Sequence, residues 1–277
     1  RTAADRAEGI LQWMLTLMNE GHDEVRPDTI TYNAVLDAWA RSGGHVDAAV
    51  RAGQILEFMD TLKDKGVQAD SYTYNTVINC WAKSGARNGA MQAEKVLSNM
   101  KKKYHETRDR TLKPNTRTYT SLIDCWAKSG DPESALKAKE ILDEMQENYN
   151  KTRDNTAKPN THSYNAVMNA CAFVTAPEKK TEALNIAFNV FEQLRMQGNV
   201  SPDAYTYTIM LSVVSNLIPR HDRQTRFTYA EDLFTKCKKS GNVNDFVLRK
   251  LNHVVTKEEF LPLVDYRVNS SAENLPQ

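Results

Sequence analysis

Apolar positions along this chain recur three and four residues apart, in short blocks that return at long, regular intervals. In the first clear block Tyr32, Val35, Leu36 and Trp39 fall on one side of a helix. That block reads TYNAVLDAWARSG from Thr31, and it comes back as TYNTVINCWAKSG from Thr73 and TYTSLIDCWAKSG from Thr118. Looser copies follow as SYNAVMNACA from Ser163 and TYTIMLSVVS from Thr206. The tyrosines Tyr32, Tyr74, Tyr119, Tyr164 and Tyr207 stand 42, 45, 45 and 43 residues apart. Five copies at so steady a period mean a repeat array.

Each copy runs into a polar stop such as Ser42-Gly43-Gly44, Ser84-Gly85 or Ser129-Gly130, and a glycine there ends a helix. A second amphipathic segment follows: AGQILEFM from Ala52, AEKVLSNM from Ala93, AKEILDEM from Ala138 and AFNVFEQL from Ala187. Its alanine suits a close approach of two helices. Most units close on Pro-Asn or Pro-Asp (Pro27-Asp28, Pro114-Asn115, Pro159-Asn160, Pro202-Asp203), where proline resists helix and the next residue can cap one. No stretch alternates with period two. The pattern therefore predicts an all-α chain: a right-handed α-solenoid superhelix of stacked helix–turn–helix pairs, each burying its core against its neighbours. Residues 1–28 read as the second helix of a unit that lacks its first. Five pairs follow at 29–70, 71–115, 116–160, 161–203 and 204–244, then a capping helix over 245–260 and a polar, frayed tail from about residue 269. Phe246, Leu248, Leu251 and Val255 would form the capping face. Arg1 falls inside a helical pattern, which fits a processed or truncated start.

Composition changes this picture little. The 36 basic and 35 acidic residues nearly cancel, so any case for a polyanionic partner rests on where charges lie. No apolar run is long enough to span a bilayer, and no targeting segment is visible. The four cysteines, Cys80, Cys125, Cys171 and Cys237, form no CxxC pair; the first three fall near the same place in successive helices. They read as small buried side chains, with no metal and no cofactor implied. Motifs of nucleophilic, metal-dependent or nucleotide-dependent catalysis are lacking, so the chain does not read as an enzyme.

The phrase TYNxxIxxWAKSG, then AxxxLxxM, then PN or PD before the next TY, resembles the pentatricopeptide repeat. The resemblance covers residues 1–244. These units are longer than the family's usual unit, and aligning the motif ends places the extra residues in turns: before Ala52, Ala93, Ala138 and Ala187, and after Met59, Met100 and Met145. What the resemblance implies is a groove lined by the first helices and a single-stranded RNA partner read one base per repeat. It also implies a mitochondrial or chloroplast setting, in RNA processing, stability, editing or translation. The protein would be a monomer off the membrane, with room for protein partners. Carried over, the base-reading pairs are Asn33 with Asp70, Asn75 with Asn115, Thr120 with Asn160, Asn165 with Asp203, and Thr208 with Asn244. The base-stacking residues would be Ile30, Tyr72, Arg117, His162 and Tyr205. Arg41, Lys83 and Lys128 would lie near phosphates.

Each of these has a plainer reading. Asn or Asp before a helix is a good N-cap, the stacking residues sit at helix starts, and a cation near a helix C-terminus is favoured by the helix dipole. The basic run Lys101-Lys102-Lys103, with Arg108, Arg110 and Lys113, reads first as a solvated helix extension. The rival function is a protein-binding scaffold, as helical solenoids often are; recurring Asn/Thr with Asn/Asp pairs speak for RNA.

Overall fold

The computed structural model describes residues 2–62 and 66–264; the tail expected to fray lies outside them. Among the described residues there are thirteen α-helices and no strand. Helix α1 spans Ala3–Asn19. First-type helices are α2 (Thr29–Arg41), α4 (Ser71–Ser84), α6 (Thr116–Lys128), α8 (Thr161–Ala172), α10 (Ala204–Leu217) and α12 (Asp245–Val254). Second-type helices are α3 (Val46–Thr61), α5 (Gly89–Thr107), α7 (Ser134–Thr152), α9 (Lys180–Met196), α11 (Arg223–Lys239) and the short α13 (Lys257–Val264). The chain forms two compact units. One is made of the residues up to Asp131 with Glu140–Pro159, the other of Pro132–Lys139 with the residues from Asn160 on, so the division runs through α7.

In the first unit α2 packs beside α4 and α4 beside α6; in the second α8 packs beside α10 and α10 beside α12. The repeat tyrosines Tyr32, Tyr74, Tyr119, Tyr164 and Tyr207 are at most 3 % exposed. Tyr74 donates to Asp60 Oδ2 at 3.3 Å and Tyr119 to Glu144 Oε1 at 3.1 Å, so each ring stays in the core while its hydroxyl is matched on a second-type helix. Burial first, then the facing carboxylate, pushes both phenols up from the ordinary tyrosine range. Ala52, Ala93, Ala138 and Ala187 have no exposed surface, as their small size at a helix approach predicts. Trp39 donates to Glu8 and Trp126 to Glu94, both at 3.0 Å, from a first helix to the second helix before it. Gly44, with φ +74°, brings the turn after α2 against the end of α4; a Cβ there would stand 2.6 Å from the Lys83 carbonyl oxygen.

Two expectations are corrected. The extra residues after Met100 and Met145 are not turn: α5 and α7 run on to Thr107 and Thr152 before Arg108 and Arg153 close them in the left-handed region. The segments KKKYHET and QENYNKT hold no proline or glycine, and i,i+4 pairs Lys102–Glu106 and Lys151–Glu147 support them. The cap differs too. A single helix over 245–260 is broken at Val255 and Thr256, because Thr256 and Glu259 exchange hydrogen bonds that start α13. Its buried face is Val247, Leu251, Val254 and Val255, whereas Phe246 is 70 % exposed. Asn244 caps α12, which makes Val247 the third helical residue, the position that is buried in α4, α6, α8 and α10 as well.

Candidate nucleic-acid interface

The site is built from helix starts. Asp28, Asp70, Asn115, Asn160, Asp203 and Asn244 are all N-caps in extended backbone. Each side chain accepts from the backbone N–H three residues on, at 2.7–3.1 Å. In the first five the residue there is Thr or Ser, whose hydroxyl completes a capping box. The plain N-cap reading of the last residue of each unit therefore holds.

The same geometry also brings pair members together. The Thr73 hydroxyl stands 2.8 Å from Asn33 Oδ1 and 3.0 Å from Asp70 Oδ1, so one O–H links the pair. Thr206 repeats this at 2.8 Å to both Asn165 Oδ1 and Asp203 Oδ1. Asn75 donates directly to Asn115 Oδ1 at 3.5 Å, and its own Oδ1 is buried without a hydrogen-bond partner. Thr120 is buried in α6 of the first unit, while Asn160 caps α8 in the second. Thr208 is not joined to Asn244; its hydroxyl donates back to the Ala204 carbonyl at 2.9 Å. Asn75, Thr120 and Asn165 are only 3–4 % exposed, so these are groups between helices, and Asn33 and Thr208 are half-buried.

Ile30, Tyr72, Arg117, His162 and Tyr205 are each the second residue of a first helix, and all are exposed. Ile30 at 77 % and Tyr205 at 57 % leave most of their surface to solvent, an unusual display for large apolar groups. The Tyr72 hydroxyl donates to Asp37 Oδ2 at 2.6 Å, and that bond raises its pKa above the ordinary value. Phe246 occupies the same second position in α12 and is equally bare. Sequence reasoning placed it in the core; Asn244 as a cap was the signal that could have moved it.

Arg41, Lys83 and Lys128 lie in the last turns of α2, α4 and α6 and are exposed. Lys83 reaches over to the Ala40 carbonyl at 3.0 Å, satisfying the open end of the preceding first helix. In the fifth repeat Asn216 does the same for the Ala172 carbonyl at 3.0 Å. The basic run after Met100 is largely occupied: Lys101 pairs with Glu144, Lys103 with Asp60 and Lys113 with Asp154. The cysteines are buried, and burial pushes the Cys80 and Cys171 thiols up to about 12 and Cys237 to about 11. Among the described residues no group of three or more His, Cys, Asp or Glu is placed to hold a metal, and no helix is long and apolar enough to cross a membrane.

No curated protein matches the chain. The PPR repeat family matches residues 27–83 and 159–216, and the pentatricopeptide repeat domain matches 104–172. These matches begin at the Pro-Asp and Pro-Asn caps or run through the Thr-Tyr helices described above. The chain belongs to the pentatricopeptide repeat family, helical-repeat proteins that generally bind RNA.

Proposed function

We propose that this chain binds single-stranded RNA with base selectivity, one base per repeat. The observation that carries the reading is the meeting of Asn33 with Asp70 and of Asn165 with Asp203 around one threonine hydroxyl. Short amide, hydroxyl and carboxylate groups on neighbouring helices present donors and acceptors to a Watson–Crick edge. At the second repeat the unmatched Asn75 Oδ1 is an acceptor that a base N–H would satisfy. The exposed side chains Ile30, Tyr72, Arg117, His162 and Tyr205 supply faces against which bases stack, as aromatic rings and guanidinium planes do.

Because the reading groups already bond one another, a base has to replace those bonds in kind. A base with the wrong edge leaves a buried acceptor unpaired, at about 1–3 kcal/mol. By the family's preferences, Asn with Asp selects uracil, Asn with Asn cytosine or uracil, and Thr with Asn adenine. Read from the 5′ side, the four clear units select U, then C or U, then A, then U; the fifth pair, Thr208 with Asn244, is not joined and adds no base. Arg41, Lys83 and Lys128 serve the phosphates. The setting is a mitochondrion or chloroplast, in RNA processing, stability, editing or translation. Selection from a random single-stranded RNA library tests this, with mobility shifts on the enriched pool. Enrichment of the U–Y–A–U series is the expected result; no shift, or enrichment of an unrelated sequence, would overturn the proposal.

A further inference from the structure

The fifth repeat and the cap enclose a feature the base-reading scheme does not use. A cavity of about 270 Å³ is lined by Arg220, Arg223, Arg226, His253 and Glu259, with Ser215 and the Val254–Thr256 backbone beside them. It lies within the second compact unit, where the α10–α11 turn faces the break between α12 and α13. Arg226 is the unusual member. It is only 7 % exposed, its Nε is buried without a hydrogen-bond partner, and among the described residues its side chain has one hydrogen-bond partner, the Ser215 hydroxyl, 3.5 Å from Nη2. No ion pair involves Arg220, Arg223 or Arg226 among the described residues.

The nearby acids form no ion pair with these arginines among the described residues. The Asp222 carboxylate caps α11 by accepting from Thr225 N at 3.2 Å, and Glu259 accepts from Thr256 N at 2.8 Å. Burial, and then the like charge of Arg220, shift Arg226 down from the ordinary arginine value, so its cation is held where it is disfavoured. A buried, unpaired guanidinium is among the costliest groups a fold can keep.

We propose that this cavity binds a phosphoryl group, free or borne by a ligand. A carboxylate is satisfied by one guanidinium in a two-pronged contact. Three arginines and a hydroxyl lining open space instead suit a tetrahedral oxyanion, whose oxygens point in separate directions. The volume is several times the ~30 Å³ of one water, so a phosphate fits together with part of what carries it. This assignment does not rest on RNA binding, and its first test contains no RNA.

Titration calorimetry with inorganic phosphate, at constant ionic strength made up with chloride, should show one saturable site. Arg223→Ala, at an exposed position, should weaken it at least tenfold without moving the melting temperature. Arg226→Met should abolish it, and Arg220→Ala covers the case in which the buried variant fails to fold. Comparing short RNAs that end in a 3′-phosphate or a 3′-hydroxyl then identifies the source. A preference for the phosphate end that Arg223→Ala removes assigns the strand, and no preference with inorganic phosphate still bound assigns the free ion. Phosphate binding no stronger than chloride, or binding that survives both Arg223→Ala and Arg220→Ala, would overturn the proposal.

Discussion

Asn165 with Asp203 and Thr208 with Asn244 hold the same places one repeat apart in the same compact unit, yet only the first two are joined. The difference is one residue. Thr206, third in α10, places its hydroxyl 2.8 Å from both Asn165 and Asp203. The equivalent third residue of α12 is Val247, fully buried and unable to donate. Asn244 still caps its helix through Val247 N at 3.0 Å, and the Thr208 hydroxyl turns back to Ala204. Capping and pairing are thus separable functions of the last residue in a unit. Capping needs only a side-chain oxygen and a backbone N–H; pairing needs a hydroxyl on the following helix. The fifth repeat keeps the first and has lost the second, which suits the place where the array gives way to a cap.

The largest way to break this contrast is Thr206→Val, which gives the fourth repeat the chemistry of the fifth. Asn165 Oδ1, at a residue 3 % exposed, would lose its donor, while Asp203 would keep the bond to the backbone at position 206. The expected cost is about 1–3 kcal/mol, read from the denaturant midpoint, with loss of the uracil preference at the fourth base. An unchanged midpoint would show that the hydroxyl bridges nothing of consequence. Exchanging the pair rather than the bridge, by Asn165→Thr with Asp203→Asn, should move that base from uracil to adenine. The discrimination at stake is again about 1–3 kcal/mol. Identical enrichment by wild type and the double variant would mean that the longer units do not keep one base per repeat.

How much of this was legible depended on how local each signal was. The starts of the first helices were readable to the residue, because proline, cap, Thr and Tyr act within one turn. The ends of the second helices were legible only in part: the run from Lys101 reads as a helix extension and is one, but 146–152 looks like surplus beside the repeat motif, although its Gln, Glu and Lys side chains carry the helix onward without a breaker. The cap was misread by one residue, since apolar groups at 246, 248, 251 and 255 fit a helical stripe about as well as the real seam at 247, 251, 254 and 255. The meeting of Asn165 with Asp203 around Thr206 joins residues about one repeat apart, and the burial of Arg226 comes from three separate elements. Neither has a signature in its own stretch of chain.

Smaller effects sharpen the separation of capping from pairing. Asn244→Ala removes only a cap and should cost about 1 kcal/mol, leaving base preference at the first four positions intact. A change in those preferences would mean that the fifth repeat takes part in reading the others.

The smallest expected effect, and the most direct test, is Val247→Thr, which restores the missing hydroxyl. A threonine replacing a fully buried valine keeps the volume but adds a polar group, normally a loss because nothing inside receives the O–H. Here the Asn244 side chain already accepts from the backbone N–H at 247, as Asp203 accepts from Thr206. The new hydroxyl therefore has an acceptor in place and should complete a capping box of the kind found at α2, α4, α6, α8 and α10. The net change in stability should stay within about 1 kcal/mol, since one new hydrogen bond offsets the burial of one hydroxyl. Thr208, freed from Ala204 by a side-chain rotation, would then gain a partner across the repeat, and selection should reveal an adenine preference at a fifth position. A loss of several kcal/mol would show that the pocket around Val247 holds no usable acceptor. In that case the fifth repeat differs from the fourth in more than one side chain.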